Sequence, residues 1–205
     1  MEIVCLDLEG VLVPEIWINF AKKTGIKALE ATTRDIPDYD VLMKQRLAIL
    51  REHNLGLPDI QAVITEMGPI EGAFEFLAWV REHFQLIILS DTFYEFADPL
   101  MKQLNRPTLF CHKLETDANG MITNYILRQP DQKRAAVQAL HGLKYRVIAA
   151  GDSYNDIAML GEADKGILFD APENVIREFP HFPVTKTYEA LKTEIISGSL
   201  RNIPR

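Results

Sequence analysis

Acidic and hydroxyl side chains follow directly after several apolar runs of this sequence. They are Asp7 and Glu9 after the run 3–6, Ser90 and Asp91 after 86–89, and Asp152 and Asp156 after 147–150. Taken singly, each fits a helix N-cap or a turn, because Asp and Ser are common at such positions. Brought together, so many acids would repel one another unless a cation lay between them. Hard carboxylate oxygens without clustered His or Cys favour Mg²⁺ over zinc or copper.

These groups could act together on a phosphate ester. A carboxylate can attack phosphorus to form an aspartyl-phosphate, and a second acid can protonate the leaving oxygen. A hydroxyl and a cation can hold the phosphate oxygens; Ser90 supplies the hydroxyl, and Lys133 or Arg134 supplies the cation. The pattern therefore predicts a magnesium-dependent phosphate-transfer enzyme with Asp7 as its covalent nucleophile.

Short apolar runs separated by helical stretches position these side chains. The predicted strands lie at 3–6, 86–89, 108–111, 147–150 and 166–169. They are apolar on both faces, as are the central strands of a parallel sheet that helices cover on both sides. We therefore predict an α/β fold with a doubly wound, Rossmann-like parallel-sheet core, in which the strand ends meet at one crevice.

Two stretches depart from this alternation. Residues 14–69 contain no strand run but carry helical segments at 39–53 and 58–67, and a crossover of this length exceeds what one helix needs. We predict a small helical cap at 14–69, inserted into an α/β catalytic core formed by 1–13 and 70–205. Residues 113–125 are typical of a hairpin with a turn near Asn119-Gly120. A closing helix is expected at 187–196, followed by a frayed tail.

Composition limits the classes of partner. The net charge of −7, from 22 basic and 29 acidic residues, argues against nucleic acid and anionic membranes as partners. The N-terminal segment lacks a signal-peptide pattern, and no run approaches the roughly 20 apolar residues of a membrane span. Cys5 and Cys111 lie in apolar runs and are predicted to be buried free thiols. We expect a cytoplasmic protein that binds a small molecule; a homodimer is the base-rate expectation.

The aromatic residues and histidines suggest no further site. The histidines at 53, 83, 112, 141 and 181 are scattered without ligand spacing and are predicted at the surface or at helix ends. Trp17 and Trp79 fit the core stripes of helices better than a stacking platform.

Four segments resemble the four motifs of the haloacid dehalogenase superfamily. They are Asp7-Leu-Glu-Gly-Val, Leu89-Ser-Asp-Thr, Lys133 and Gly151-Asp-Ser-Tyr-Asn-Asp156. The resemblance implies that Asp7 is the nucleophile and Glu9 the acid/base, with Ser90 and Lys133 holding the phosphate. It implies Mg²⁺ binding by Asp7, Asp152 and the backbone carbonyl of Glu9. Asp156 would complete the acidic site through a metal-bound water or by orienting Lys133, and Asn155 would line the substrate pocket.

Glu9 departs from the common pattern of this superfamily. Most of its phosphatases carry Asp two residues after the nucleophile, and the extra methylene of Glu moves the carboxyl group by about 1.5 Å. The Asp-x-Glu variant combined with Leu-Ser-Asp-Thr-Phe resembles one subgroup, the bifunctional phosphoserine phosphatases and phosphoserine:homoserine phosphotransferases. That resemblance implies phosphoserine as the phosphoryl donor and water or homoserine as the acceptor.

The predicted cap carries residues that suit an amino acid. Tyr39 and Arg46 lie seven residues apart and so share one helix face. Phosphoserine phosphatases carry an apolar or aromatic residue and an arginine at similar spacing, and the arginine binds the substrate carboxylate, for which a guanidinium is well suited. Glu15 resembles the acid that binds the substrate ammonium. Asp91 and Thr92 replace a glycine pair that is common in phosphoserine phosphatases, and we assign them to the pocket.

Two alternatives stay open from the sequence. The first keeps the superfamily and changes the substrate to another small phosphomonoester. The second is a signalling module similar to response-regulator receivers, which hold a phospho-aspartate as a switch. The inserted segment and Glu9 count against this module, because a long-lived acyl phosphate needs neither a cap nor an added acid/base.

Overall fold

The computed structural model describes residues 1–32, 35–36 and 38–203. Its strands are β1 (Glu2–Leu6), β2 (Gln85–Phe93), β3 (Leu109–Thr116), β4 (Ile122–Ile126), β5 (Arg146–Gly151), β6 (Lys165–Phe169) and β7 (Val184–Thr185). Within the described residues these form a seven-stranded sheet in the order β4-β3-β2-β1-β5-β6-β7. Neighbouring strands are parallel except β3 and β4, which form the predicted hairpin.

Helices connect and cover these strands. They are α1 (Ile16–Thr24), α2 (Tyr39–Glu52), α3 (Leu57–Glu66), α4 (Ala73–His83), α5 (Tyr94–Gln103), α6 (Gln132–Gly142), α7 (Ile157–Glu162), α8 (Glu173–Glu178) and α9 (Tyr188–Gly198). The predicted doubly wound α/β fold is confirmed. The strand that was predicted at 108–111 begins one residue later and continues into the hairpin.

Both faces of β1 are buried, which explains its continuous apolar sequence. Val4 and Leu6 belong to a core cluster that includes side chains of α4, α5 and α9. Ile3 and Cys5 point to a second cluster, formed with side chains of α6, α7 and α8. A strand with helices on both sides is held rigidly, so the residues that follow it are well positioned.

The segment between β1 and α4 is helical in its described part, 14–32, 35–36 and 38–69. It contains α1, a short 3₁₀ helix (Lys27–Glu30), α2 and α3, and no strand. The ring of Trp17 in α1 lies 5.5 Å from that of Phe96 in α5, measured between centroids. On the far side, the backbone N–H of Leu57 donates to the Gly120 carbonyl of the hairpin at 2.8 Å. The helical segment therefore spans from α5 to the hairpin.

The frayed tail was predicted at 197–205, and this prediction is wrong for 197–203; residues 204 and 205 lie outside the described residues. α9 continues to Gly198, and the residues after it are bound to the buried carboxylate of Glu2. That carboxylate accepts from the backbone N–H of Leu200 at 2.7 Å and from Nε of Arg201 at 2.9 Å. The Ser199 hydroxyl donates to the Glu2 carboxylate at 2.6 Å. Four residues further along the chain, the Ile203 side chain is also buried.

We expect a chain that ends at Gly198 to be less stable than the full chain by about 2–3 kcal/mol. Removal of the tail leaves the buried Glu2 carboxylate without these donors and exposes the apolar surface that Ile203 covers. Urea unfolding, followed by circular dichroism, measures the change. A chain that ends at Ile203 is the matched control and should unfold like the full chain. Equal stability of all three chains would contradict the assigned contacts.

No helix in the described part of the chain is long and apolar enough to cross a membrane. Cys5 and Cys111 are buried and free, as predicted. Burial raises the pKa of the Cys5 thiol to about 12, so this thiol stays protonated and inert at neutral pH.

Candidate active site

The polar groups after β1, in β2 and after β5 lie at one edge of the sheet, because β1 pairs with both other strands. The backbone N–H of Asp7 donates to the Ala150 carbonyl at 3.0 Å, which fixes the chain as it leaves β1. A cavity of about 890 Å³ opens at this edge. Of the predicted site residues, those that line it are Asp7, Glu9, Glu15, Tyr39, Arg46, Ser90, Asp91, Lys133, Asp152 and Asn155.

Lys133, near the start of α6, is the cation at the centre of this group. Its Nζ lies 2.9 Å from Oδ1 of Asp7 and 2.7 Å from Oδ1 of Asp156, and all three side chains are almost fully buried. Burial alone would lower the pKa of Lys133, but the surrounding carboxylates hold it well above its usual range. Arg134, the other candidate, is half-exposed and pairs with Glu162 at 3.0 Å. The choice left open by the sequence therefore falls on Lys133.

Asp7, Asp152 and Asp156 place carboxylate oxygens within 4.8 Å of one another. Oδ2 of Asp156 accepts from the backbone N–H groups of Asp152 at 2.9 Å and Ser153 at 3.1 Å. Oδ1 of Asp152, by contrast, is buried without a hydrogen-bond partner among the described residues. A buried carboxylate oxygen without a protein donor is available to a cation, and these hard oxygen atoms suit Mg²⁺.

Gly10 allows this packing of acids. Its φ is +80°, and a Cβ at this position would lie 2.4 Å from Oδ2 of Asp152. Both the backbone conformation and the close approach require glycine here. The glycine of the first motif therefore allows the segment that follows β1 to lie directly against Asp152.

The electrostatics of the acids also favour a bound cation. Burial raises the pKa of Asp152 to about 7, and the charges of Asp156 and Glu15 add to the effect. Burial and the charge of Asp156 likewise raise the pKa of Asp7 well above its usual range. A divalent cation would stabilise the ionised form of both groups.

We expect the stability of the protein to fall between pH 6 and pH 8 when divalent cations are absent. The pKa of Asp152 is higher in the folded chain, about 7, than its ordinary value of 3.8, so ionisation opposes folding as the pH rises through 7. With EDTA, Tm should be about 5 °C lower at pH 8 than at pH 6, and millimolar Mg²⁺ should remove the difference. Thermal melts at both pH values measure it.

Asp152→Asn should abolish most of the Mg²⁺ stabilisation. Asp164→Asn is the matched control. Asp164 lies outside the cavity, and its carboxylate accepts from the backbone N–H of Val147 at 2.8 Å. An equal Mg²⁺ shift in both variants would contradict the assignment of Asp152.

Glu9 lies half-buried between the nucleophile loop and α1. Its Oε2 accepts from the backbone N–H of Ile16 at 2.8 Å, and its carboxyl group also hydrogen-bonds with Thr92 and Glu15. Burial raises the pKa of Glu9, although these hydrogen bonds and the charge of Arg46 oppose the shift. A raised pKa favours the protonated carboxyl group, which is the form that can serve as a general acid.

Arg46 lies on α2 with its side chain buried. Its guanidinium carbon is 4.4 Å from the centroid of the Trp17 ring, and Nη2 donates to the Ala31 carbonyl at 2.9 Å. Nε has no partner among the residues that the structure describes. Burial lowers the pKa of Arg46 to about 10, so it stays charged at neutral pH. Trp17 belongs to the core cluster as predicted, but it also forms a stacking platform, which the sequence did not reveal.

The remaining predicted residues surround Asp91. Tyr39, the first residue of α2, donates its hydroxyl to the Asp91 carbonyl at 3.2 Å. Asn155 donates Nδ2 to Oδ2 of Asp91 at 3.2 Å. Ser90 is buried, and its Oγ accepts from the backbone N–H of Thr92 at 3.2 Å. Thr92 is also buried but is not among the described residues that line the cavity. Its side chain hydrogen-bonds to the carboxyl group of Glu9.

Sequence reasoning missed His112 and Gln132. The prediction that the histidines lie at the surface or at helix ends is wrong for His112, which is buried in β3 with its Nε2 3.5 Å from Oδ1 of Asp91. Gln132 is buried beside Lys133 and donates Nε2 to the Ser90 carbonyl and, at 3.2 Å, to Oδ1 of Asp91. The adjacency of Gln132 to Lys133 was the available signal; His112 gave none, because β3 places it there.

Known proteins resemble this chain in sequence and in fold. The family model for haloacid dehalogenase-like hydrolases matches residues 1–164. Phosphoserine phosphatase ThrH of Pseudomonas aeruginosa is 68% identical over 203 residues, which are 99% of each chain. A phosphoserine phosphatase of Pseudomonas syringae pv. tomato is 66% identical over 203 residues, 99% of this chain and 86% of the relative.

Solved structures agree on the fold. A phospho-aspartyl intermediate analogue of phosphoserine phosphatase has a TM-score of 0.77 at 18% identity and covers 94% of this chain and 98% of its own. A substrate-bound phosphoserine phosphatase complex has a TM-score of 0.76 at 18% identity, with coverage of 94% and 97%. The arrangement of acids, the family model and these relatives lead to one conclusion: the chain belongs to the haloacid dehalogenase-like hydrolase family.

Proposed function

We propose that this protein is a Mg²⁺-dependent phosphoserine phosphatase that works through an aspartyl-phosphate on Asp7 and also transfers the phosphoryl group to homoserine. The observation that carries the proposal is that one cavity joins the Asp7–Lys133 pair to the buried Arg46, whose Nε has no hydrogen-bond partner among the described residues. The first group suits a phosphoryl group and the second a carboxylate. The names of the two Pseudomonas relatives support the same substrate.

Asp7 would attack phosphorus through Oδ2. Its Oδ1 is already held by the backbone N–H of Leu8 at 2.8 Å and by Lys133, which fixes the plane of the carboxylate. Lys133 and Ser90 would hold the phosphoryl oxygens. Mg²⁺, held by Asp7, Asp152 and the carbonyl of Glu9, would offset the repulsion between nucleophile and phosphate. A fixed attacking atom reduces the entropy that must be lost in the transition state.

Glu9 would move the protons of both steps. As Oδ2 of Asp7 bonds to phosphorus, the bond from phosphorus to the serine oxygen breaks, and Glu9 gives that oxygen its proton. In the second step Glu9 takes a proton from water or from a homoserine hydroxyl, whose oxygen attacks phosphorus and releases Asp7. The raised pKa of Glu9 fits its first task, since it favours the protonated form that a general acid needs.

The helical segment 14–69, which we propose to be the cap, would recognise the amino-acid end. Arg46 would bind the carboxylate of phosphoserine through Nε and a neighbouring guanidinium nitrogen, while the guanidinium stacks on the ring of Trp17. Glu15, at the start of α1, would bind the ammonium group. A site with one cation and one acid is complementary to a zwitterion, whereas a simple phosphate ester would offer Nε of Arg46 no carboxylate to bind.

The two outcomes of the reaction differ only in the second nucleophile. Homoserine carries the same ammonium and carboxylate groups as serine, so the site that releases serine could bind it. Exclusion of water by the cap would favour transfer over hydrolysis.

Incubation of the protein with phosphoserine, Mg²⁺ and homoserine tests the proposal. We expect serine release together with inorganic phosphate and phosphohomoserine, and less inorganic phosphate as homoserine rises. ³¹P NMR resolves both products in one sample. Absence of serine release would contradict the phosphatase assignment. Serine release without phosphohomoserine would contradict the transferase activity alone.

A further inference from the structure

Asp91 presents a carboxylate to the phosphate end of the cavity, where a negative charge opposes phosphate binding. About a third of its side chain is exposed there. Its Oδ2 lies 3.7 Å from Nζ of Lys133. A carboxylate and an ammonium this close ordinarily approach to about 2.7–2.9 Å. Something therefore holds Asp91 back from Lys133.

One of the three ammonium protons of Lys133 is not hydrogen-bonded to a neighbouring carboxylate. An ammonium group has three protons, and those of Lys133 that face Asp156 at 2.7 Å and Asp7 at 2.9 Å are used. The distance of 3.7 Å to Asp91 is too long for a hydrogen bond. Among the described residues no other acceptor contacts Nζ, so the third proton is available to a phosphoryl oxygen.

His112 holds Oδ1 of Asp91 on the side away from Lys133. Nδ1 of His112 accepts from the backbone N–H of Arg128 at 3.1 Å, so the ring proton of the neutral imidazole sits on Nε2. That Nε2 is 3.5 Å from Oδ1 of Asp91. The rings of buried Phe93 and half-buried Tyr39 pack against the imidazole, each with its centroid 6.3 Å from that of His112.

Gln132 holds the same oxygen from a second direction. Its Nε2 donates to Oδ1 of Asp91 at 3.2 Å and to the Ser90 carbonyl. The opposite orientation of the amide would place Oε1 against two oxygen atoms, so these contacts fix it. Asn155 restrains the other carboxylate oxygen, Oδ2, at 3.2 Å.

We propose that His112 and Gln132 are positioning residues that hold Asp91 away from Lys133, so that Lys133 keeps a proton for the phosphoryl group. The inference rests on the proposed function and goes beyond it, because it assigns a role to two residues that line the cavity beside Asp91 and have no role in the proposed reaction. Without these donors Asp91 would close on Lys133 and compete with phosphate for it. Phosphate affinity, more than the turnover number, should respond.

Phosphate binding by single variants tests the first part of this inference. The affinity for inorganic phosphate is measured by calorimetry with Mg²⁺, beside KM and kcat for phosphoserine. His112→Leu should weaken phosphate binding and raise KM by about tenfold, with kcat within about threefold. His112→Gln supplies an amide donor in place of Nε2 and should restore affinity to within about threefold. His141→Leu is the matched control, because His141 pairs with Asp164 at 3.1 Å outside the cavity.

A double-mutant cycle tests the second part. The Asp91→Ala background has no carboxylate that could approach Lys133. In that background His112→Leu should therefore change phosphate affinity by less than about twofold. An unchanged affinity in His112→Leu alone, or an equal loss in both backgrounds, would overturn the inference. If His112→Leu does not fold, Gln132→Met replaces it, with the same expected and contrary results. Calorimetry does not require turnover, so an unmodified protein inactive on phosphoserine would contradict only the proposed function.

Discussion

Asp7→Asn should lower kcat for phosphoserine hydrolysis by at least about 10⁴-fold. An amide cannot form the acyl phosphate, and no other carboxylate within the described residues faces the cavity with the same pair of donors, Leu8 N–H and Lys133. The fold should persist, because Asn has the same shape and removes one charge from a group in which burial already raises the pKa of Asp7. Phosphate release and thermal melts measure the two effects.

Asp98→Asn is the control for this variant. Asp98 is exposed on α5 and pairs only with Lys102 and Arg106 among the described residues, so its loss should leave kcat unchanged. An Asp7→Asn protein that keeps more than about 1% of the activity would contradict covalent catalysis by Asp7.

Arg46→Ala should raise KM for phosphoserine by about 30–100-fold, which corresponds to the loss of one buried, charge-assisted hydrogen-bonded pair. For phosphoethanolamine, which keeps the ammonium and phosphate but lacks the carboxylate, KM should rise by less than about threefold. The difference arises because Arg46 Nε, buried and without a partner among the described residues, has only the carboxylate to bind. Steady-state kinetics on both substrates measure the two ratios.

Arg46→Lys separates charge from geometry. Lysine keeps the positive charge near Glu9 and Glu15 but lacks the planar fork that stacks on Trp17. We expect an intermediate KM for phosphoserine in this variant. Equal effects of Arg46→Ala on both substrates would remove the case for an amino acid and favour another small phosphomonoester.

The fold and the position of Asp7 could be predicted because local patterns determine them. Apolar runs bounded by polar residues define the strands, and the carboxyl ends of parallel strands must meet at one edge. Asp7 and Asp152 therefore had to approach each other, and the structure places their carboxylate oxygens within 4.8 Å. The spacing alone did not reveal which of two adjacent cations faces inward, because that depends on the rotation of α6.

The residues that the sequence missed depend on contacts between distant segments. Glu2 binds the tail through Arg201, and a terminal segment rich in polar residues shows no pattern that would reveal this bond. His112 is buried by rings from β2 and from α2, which only the packed structure brings together. Patterns of period two or 3.6 report which face of an element is buried, and they do not report its polar partners.

Glu9 shows where a family pattern and the geometry of one chain diverge. The motif alone suggested that the extra methylene displaces the acid, and the structure shows its carboxyl group bound to the first residue of α1, Ile16, at 2.8 Å. Thr92, which replaces a glycine, hydrogen-bonds to the same carboxyl group. The two departures from the common pattern are therefore in contact, and we infer that Thr92 holds the longer side chain in place.

Trapping of the covalent intermediate tests the central claim most directly. The protein is mixed with ³²P-phosphoserine and Mg²⁺ and quenched in acid within milliseconds. One portion is counted for protein-bound label, and a second portion is treated with borohydride, which reduces the acyl group and releases phosphate, and is then digested for mass spectrometry. The account predicts protein-bound label that forms no later than serine, and conversion of Asp7 alone to the reduced residue. Release of a full turnover of serine with no protein-bound label, or reduction at any residue other than Asp7, would contradict it.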